Sequence, residues 1–240
     1  DTIAPQHCNG FRRGRGRNDS IYALKELCRK RKAKGLDSYG IYFDLIKCFD
    51  ELARENTWES MRVSGVPEKM IRVVMSTLKN SECEMHVSGV QKMVKMKEGS
   101  GQGTTMGPIL CNFFFLPLLQ EFEKRMGARV PCAKDSAEMG GEKFPVFTHN
   151  FADDTCMVVG NLEDARYVAR EFNTFIKTFR SRVHVATELA PKSKSIIVYY
   201  PAKEGKKPAV EKVEMNDDGT EWIDFADGSP YLGSYVHTSL

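Results

Sequence analysis

A pair of adjacent aspartates, Asp153 and Asp154, lies between two runs of β-favouring residues. The run 144–150 precedes the segment 151–154 that contains the pair and the run 155–160 follows it, so the pattern predicts a β-hairpin with two carboxylates at its tip. Aspartate is common in turns because its side chain bonds to the neighbouring backbone. Its carboxylate oxygens are also ligands for divalent cations. The pair alone is therefore consistent with a structural turn and with a metal-binding turn.

A third aspartate, Asp44, lies inside an apolar run. Residues 39–46 are rich in aromatic and β-branched side chains, which predicts a buried central strand. A buried carboxylate needs a charge partner or a metal ion. We therefore expect Asp44 either at the exposed end of this strand or in a site that carries chemistry.

Hydrophobic periodicity and turn residues predict the other elements of secondary structure. In chain order they are a helix from Ser20 to about Lys34, helices over 51–63 and 67–79, a hairpin over 83–96, a helix from 109 to about 125, a helix from 162 to about 180, and a strand over 195–200. In the helix 67–79 we expect Met70, Val73, Val74 and Leu78 to face inward.

Three further stretches are predicted to be loops or exposed segments. The passage 98–108 is rich in glycine but lacks the Lys-Ser/Thr ending of a phosphate-binding P-loop. Residues 127–143 are predicted to form a surface loop. The stretch 211–227 has seven acidic residues and one lysine, and we expect it to be exposed and extended.

Basic residues are concentrated near the start of the chain. Between Arg12 and Lys34 there are ten Lys or Arg residues and two acids, a net charge of +8, although the whole chain carries only +3. Such a region suits phosphate backbones, which provide most of the sequence-independent affinity for nucleic acids. The Arg-Gly alternation over 13–17 favours polyanion contact over a merely solvated face, because glycine lets the backbone approach a phosphate closely.

Composition excludes several other classes of protein. The chain has no apolar run of the roughly 20 residues that a membrane helix needs, and it starts without a secretory signal pattern. Its seven cysteines are scattered and never spaced as C-x-x-C, so neither a disulfide framework nor a zinc site is expected. We therefore expect an intracellular protein, nuclear or cytoplasmic and not secreted, that does not bind membranes.

The order of these elements resembles the palm of right-hand polymerases, and most closely the reverse transcriptases of non-LTR retrotransposons and their group II intron relatives. The resemblance rests on short segments spread over residues 9–236. They are 9–15, similar to Gly-Phe-Arg-x-Gly-Arg; 43–50, similar to motif A; 65–67, common between A and B; 101–103 with 107–108, similar to motif B; 151–154, similar to motif C; 191–195, similar to a degraded motif D; and 231–233, similar to motif E.

The resemblance implies an α/β (α+β) fold, a palm whose ferredoxin-like antiparallel sheet packs on helices, together with partial fingers. Residues 1–38 would form the partial, basic fingers and 39–200 the palm with motifs A to D. Residues 201–240 would be an acidic connection and motif E region, leading to a thumb that this chain does not include.

The resemblance also implies an activity, RNA-directed DNA synthesis by two-metal nucleotidyl transfer. Deoxynucleoside triphosphates would be added to a primer 3′-OH, with two Mg²⁺ ions, or Mn²⁺ in their place, as cofactors. The implied partners are an RNA template, a DNA primer, dNTPs and the remainder of a longer retroelement polyprotein. The implied site residues are Asp44, Asp153 and Asp154 for catalysis and metal binding, Leu45, Phe49, Gln102 and Lys194 for the nucleotide, and Arg12, Arg15 and Gly103 for nucleic acid.

Two other functions compete with this interpretation. We expect this chain to begin downstream of the family's triphosphate-gripping fingers segment, so one alternative is a catalytically inactive, truncated reverse-transcriptase-like domain that binds nucleic acid. The second is a palm-fold enzyme such as a nucleotide cyclase. It is disfavoured because a cyclase has no use for the Gly-Phe-Arg and Gln-Gly segments.

Overall fold

The computed structural model describes residues 9–101, 103–127, 148–151 and 153–239. Gln102 lies outside these ranges, as do almost all of the predicted loop 127–143 and the beginning of the β-favouring run 144–150.

Five helices and ten strands are formed by the described residues. The helices are α1 (Arg17–Ala33), α2 (Arg54–Val63), α3 (Glu68–Lys79), α4 (Gly107–Gly127) and α5 (Leu162–Thr178). The strands are β1 (Ser38–Phe43), β2 (Glu82–Val87), β3 (Val90–Lys95), β4 (Thr148–Phe151), β5 (Asp154–Val159), β6 (Ile196–Tyr200), β7 (Lys212–Glu214), β8 (Trp222–Ala226), β9 (Gly228–Tyr231) and β10 (Ser234–His237).

The main sheet has six strands in the order β4-β5-β1-β6-β8-β7. Strand β1 pairs antiparallel with both β5 and β6, whereas β6 and β8 run parallel. All six residues of β1 are buried, so its apolar run forms a central strand as predicted. The α/β fold class with a largely antiparallel sheet packed on helices is confirmed.

The main core lies between this sheet and helices α1, α4 and α5. Phe172 of α5 packs its ring 4.3 Å from Phe43 and 5.3 Å from Phe122 of α4, measured between ring centroids. The aromatic stripe of α5 is therefore core, and it supports the end of β1 from which the chain continues to Asp44. The fully buried Leu24 of α1 belongs to the same core.

A second, smaller core joins α2, α3 and the start of α4, and it corrects one prediction. Helix α3 buries Ile71 and Leu78, whereas Met70 and Val73 are 59% and 58% exposed. The helix is apolar around most of its circumference, so the sequence does not reveal which stripe is buried. Contact with α2 and α4 selects Ile71, Val74 and Leu78, a set with helical spacing.

The acid-rich stretch 211–227 is extended as predicted, but the expectation that it is exposed holds only in part, because three apolar side chains are buried. It forms β7 and β8 at the edge of the main sheet, and Val213, Met215 and Ile223 are buried. The reason is the two-residue period of a strand, which turns these apolar side chains inward and lets the acids between them face solvent.

Two local predictions also have a clear outcome. Helix α1 starts at Arg17, three residues before its predicted start, because the Asp19 carboxylate accepts a 2.7 Å hydrogen bond from the Gly16 N–H.

The β2–β3 hairpin is confirmed, and its turn residues Ser88 and Gly89 have φ of 50° and 80°. Positive φ at both positions matches a type I′ turn, whose twist suits a hairpin.

Candidate active site

Sheet pairing brings the three predicted catalytic aspartates together where strand β1 ends and strand β5 begins. In the β1–β5 pair, Phe43 lies opposite Thr155, so the next residue outward on each strand is Asp44 on one side and Asp154 on the other. Asp153 lies in the turn between β4 and β5, one residue before Asp154, and Asp154 pairs with Phe151 across the hairpin. The hairpin thus presents two carboxylates beside the end of the central strand.

The pKa values of two of these aspartates are raised. Burial is the largest cause for Asp153, and the negative charge of Asp44 adds to it. For Asp154, burial followed by the charges of Asp153 and Asp44 raises the pKa to about 6. The Asp154 side chain still reaches solvent, which screens part of this effect. The charge of Asp44 thus contributes to the raised pKa of both Asp153 and Asp154, so the three carboxylates form one electrostatic cluster.

The cluster fits a divalent cation by its donor chemistry. Carboxylate oxygens are the ligands that Mg²⁺ prefers, and a cation would relieve the mutual repulsion of the three acids. Within the described residues, no group of three or more His, Cys, Asp or Glu side chains is arranged so that it could hold a metal ion.

The backbone of Asp44 is held from both sides by residues that follow α5. The His184 N–H donates to the Asp44 carbonyl at 2.8 Å, and the Ser195 hydroxyl accepts from the Asp44 N–H at 2.9 Å. The Lys194 N–H in turn donates to Nδ1 of His184 at 3.2 Å. Sequence reasoning did not assign roles to Ser195 and His184. The sequence feature that could have pointed to Ser195 is its position at the end of the motif-D-like segment.

The turn after Asp44 is joined to the glycine-rich loop. The Gly99 N–H donates to the Leu52 carbonyl at 2.8 Å, and the Ser100 N–H donates to the Phe49 carbonyl at 2.9 Å. Gly99 has φ +80°, and a Cβ there would lie 2.5 Å from the Asp50 carbonyl oxygen. Glycine is therefore required at this close contact, which fixes Phe49 next to the loop.

Arg54 at the start of α2 ties this region together, although the sequence gave no signal for it. Its guanidinium donates to the carbonyls of Gly99 at 2.7 Å, Leu78 at 2.7 Å and Met96 at 3.0 Å, and to the Ser81 hydroxyl at 3.0 Å. One side chain thus links the glycine-rich loop to the end of α3 and to the end of the β2–β3 hairpin.

The predicted nucleotide-binding residues lie in different environments. Phe49 is half-buried against the main core, and Lys194 is exposed. Leu45 is buried in the core and forms an isolated bridge with Val183. Gly103 is exposed with φ +77°. Gln102 belongs to the residues that are not described.

The segment that precedes α1 runs beside the Asp-Asp hairpin. The Asn9 N–H donates to the Asn150 carbonyl of β4 at 3.0 Å, and the Asn112 side chain of α4 donates to the Gly10 carbonyl at 3.1 Å. This segment is therefore anchored to both β4 and α4.

The same anchoring positions the basic side chains that the sequence assigned to nucleic acid. The rings of Phe11 and Phe151 lie 6.0 Å apart, and Arg15 donates to the Asn9 side-chain oxygen at 3.4 Å. Arg15 is exposed and Arg12 is half-buried. Both arginines thus belong to a segment that packs against the strand leading to Asp153.

The motif-E-like segment supports the other side of β4. The Tyr231 hydroxyl donates to the His149 carbonyl at 3.3 Å, and the Tyr231 ring lies 5.5 Å from that of Tyr42 on β1. Strands β9 and β10 are therefore packed against the strands that carry the aspartates.

Comparison with known proteins agrees with this geometry. Residues 2–190 match the family model described as reverse transcriptase (RNA-dependent DNA polymerase). The chain belongs to the reverse transcriptase family. Comparison with curated protein sequences found no significant match.

Solved structures of telomerase from Candida tropicalis share the fold of this reverse transcriptase chain. The apo enzyme truncated from its C-terminal domain matches with a TM-score of 0.53 and 15% identity over 92% of this chain. Telomerase from the same organism in complex with the TWJ fragment of telomeric RNA matches with a TM-score of 0.56 and 15% identity, also over 92% of this chain. This chain spans 39% and 32% of the length of those two chains. In the part of the reverse transcriptase chain that the structure describes, no helix is both long and apolar enough to cross a lipid bilayer.

Proposed function

We propose that this chain is the RNA-directed DNA polymerase domain of a non-LTR retroelement protein. It would add dNTPs to the 3′-OH of a DNA primer that is paired with an RNA template. The observation that carries the proposal is the electrostatic cluster of Asp44, Asp153 and Asp154 at the ends of the inner strands β1 and β5. Because these acids repel one another, the cluster binds cations more readily than an isolated carboxylate.

Asp44 and Asp153 are the primary metal ligands in this proposal, and Asp154 has a less direct role. Two Mg²⁺ ions, with Mn²⁺ as a substitute, would supply activation of the primer 3′-OH and neutralisation of the triphosphate and leaving pyrophosphate. The protein contributes positioning, which the His184 and Ser195 hydrogen bonds to the Asp44 backbone provide.

The residues around the cluster would bind the nucleotide. Phe49, fixed by its carbonyl bond to Ser100, would lie under the incoming sugar and exclude a 2′-OH. The Leu45 backbone and Gln102 would contact the nucleotide or the nascent base pair. Lys194 would protonate the leaving pyrophosphate, because its side chain is exposed and its backbone lies close to Asp44. The Lys194 backbone N–H donates to the side chain of His184, the residue whose own N–H donates to the Asp44 carbonyl.

Arg12, Arg15 and Gly103 would contact the nucleic acid. The segment of Arg12 and Arg15 is anchored next to β4, and Gly103 is exposed in the loop that precedes α4. The net charge of +8 between Arg12 and Lys34 favours binding of a phosphate backbone. The partners are thus an RNA template and a DNA primer.

The assignment to non-LTR elements rests on the motif segments of the sequence, and it makes this chain part of a longer intracellular polyprotein, nuclear or cytoplasmic. In that protein, residues 1–38 would belong to the fingers, 39–200 to the palm, and 201–240 to a connection towards a thumb. The hydrogen bond from Tyr231 to the His149 carbonyl would then link this connection to the palm.

Primer extension with Mg²⁺ on primed poly(rA) and on primed poly(dA) tests the proposal, using this chain and a version extended at both ends. We expect extension on poly(rA) and its loss in Asp153→Asn. The matched control is Asp217→Asn, which removes a carboxylate that is fully exposed and far along the chain from the cluster. If the extended version fails on both templates, or if Asp153→Asn retains full activity, the proposal is wrong.

A further inference from the structure

Two buried thiols lie in contact beside the aspartate cluster. Cys48 is in the turn that follows Asp44, and Cys111 is in the second turn of α4. Their Sγ atoms are 3.5 Å apart. Cys48 is 8% exposed and Cys111 is fully buried. Neither thiol has a part in the mechanism proposed above.

We propose that Cys48 and Cys111 are an oxidisable dithiol that closes into an intramolecular disulfide and joins the turn after Asp44 to helix α4. A disulfide has an S–S distance of about 2.05 Å, so closure requires the sulfurs to approach by about 1.5 Å. Cys48 lies in a turn, which can shift more easily than a helix, so this movement falls mainly on the turn.

The surrounding contacts transmit such a movement to the candidate site. Phe49 follows Cys48 directly, and its carbonyl accepts the Ser100 N–H. The pKa of the Cys48 thiol is raised by Cys111 and by burial, and the charges of Asp153 and Asp154 add to the rise, so the thiol lies within electrostatic reach of those acids. A shift of the turn therefore displaces Phe49 relative to the aspartate cluster.

The chemistry requires a two-electron oxidant, for which we name a peroxide. The sulfur of Cys48, the more exposed thiol, attacks one oxygen of hydrogen peroxide, the O–O bond breaks, and a sulfenic acid and one water form. The sulfur of Cys111 then attacks the sulfenic sulfur, the S–O bond breaks, and a second water leaves. The two thiol hydrogens end in the two waters, and the peroxide is reduced by the two electrons that the sulfurs lose.

The pair is expected to react slowly but to be stable once closed. The pKa of the Cys48 thiol is raised and the thiolate is the reactive form, so oxidation should take hours at millimolar peroxide. The bond would enclose the long segment between residues 48 and 111, and disulfides that close long loops restrict the unfolded chain most. We expect Tm to rise by roughly 5 °C or more on oxidation, and to return with dithiothreitol.

Mass-spectrometric mapping of the wild-type chain tests the proposal without requiring polymerase activity. After peroxide treatment, the remaining thiols are blocked with N-ethylmaleimide under denaturing conditions and the chain is digested. We expect one cross-linked peptide pair that contains Cys48 and Cys111 and disappears with dithiothreitol. Recovery of both residues as blocked thiols, or a cross-link between Cys28 and Cys156 in their place, would overturn the proposal.

Variants separate this pair from the other thiols. Cys48→Ser and Cys111→Ser should each lose the cross-link and the Tm rise, whereas Cys83→Ser, which changes an exposed thiol on β2, should keep both. A Tm rise that persists in Cys111→Ser would contradict the proposal. The mapping of the wild-type chain decides the matter even if a variant fails to fold.

The effect of the disulfide on DNA synthesis rests on the proposed function. In an active extended version, we expect oxidation to reduce primer extension at least tenfold, with recovery after dithiothreitol and no such loss in Cys111→Ser. Unchanged extension by a fully cross-linked protein would overturn the regulatory part. Absence of any extension before oxidation would instead count against the proposed function, while the peptide map still decides whether the dithiol closes.

Discussion

Replacing Gly99 with alanine tests the contact between the glycine-rich loop and the turn after Asp44. The new Cβ would lie 2.5 Å from the Asp50 carbonyl oxygen and 2.8 Å from that of Phe49. Both are backbone atoms, so the contact cannot be relieved by rotating a side chain. The φ of +80° adds a further cost, because side chains other than glycine are strained there.

The magnitude follows from adding these two effects. The left-handed backbone costs about 1 kcal/mol, and forcing a methyl group into a packed site costs about 1 to 3 kcal/mol more. We therefore expect Gly99→Ala to lower the free energy of unfolding by about 3 kcal/mol. For a chain of this size that corresponds to a decrease in Tm of about 6 to 12 °C.

Gly65→Ala is the matched control for thermal and urea unfolding. Gly65 has nearly the same φ, +79°, but a Cβ there would meet nothing within 4 Å. It should therefore show only the backbone cost, about 1 kcal/mol. If Gly99→Ala is no more destabilising than Gly65→Ala, the close contact with the turn does not exist and the positioning of Phe49 must be explained differently.

Three further substitutions probe the candidate site. In an extended version that is active, Phe49→Val should raise incorporation of ribonucleotides relative to deoxynucleotides, because the smaller side chain leaves space for a 2′-OH. An assay in which rNTPs and dNTPs compete for incorporation measures this ratio. Lys194→Ala should lower the turnover of single-nucleotide addition, measured by rapid quench. Asp154→Asn should stabilise the metal-free protein at pH 7 by about 1 kcal/mol after allowance for solvent screening, measured by urea unfolding with a chelator.

The sign for Asp154 follows from its raised pKa. Folded Asp154 titrates at about 6 and an unfolded aspartate near 4, so the folded state binds more protons between these values. The metal-free protein therefore loses stability as pH rises from about 4 to 6. That loss should be smaller in Asp154→Asn, and equal pH profiles for both proteins would refute the shift. Unchanged nucleotide selectivity in Phe49→Val, or unchanged turnover in Lys194→Ala, would remove those roles.

Sequence reasoning found the features that short segments encode. The turn residues Ser88 and Gly89 predicted the β2–β3 hairpin, because positive φ at both positions is a local property of the chain. The apolar, β-branched composition of residues 39–46 predicted a buried central strand, and β1 ends at Phe43, immediately before Asp44. The order of the motif segments led to the family to which residues 2–190 belong.

Which face of an element is buried was harder to predict when the element is apolar on several sides. Helix α3 offered two stripes, and only its packing on α2 and α4 buried Ile71 and left Met70 exposed. In β7 and β8 the high acid content suggested exposure, but the pairing of β8 with β6 and of β7 with β8 turned Val213 and Ile223 inward. Burial in these cases depends on the neighbouring elements more than on composition.

The sequence by itself determined which residue types are available at the candidate site: three aspartates, a phenylalanine within the motif-A-like segment and a glycine-rich loop. Only the tertiary structure decided how they meet. The β1–β5 register sets Asp44 against Asp154, Arg54 joins the loop to α3, and Cys48 touches Cys111. These contacts join residues far apart in the chain, so they depend on how whole elements pack, whereas hairpins and strands follow from interactions between near neighbours.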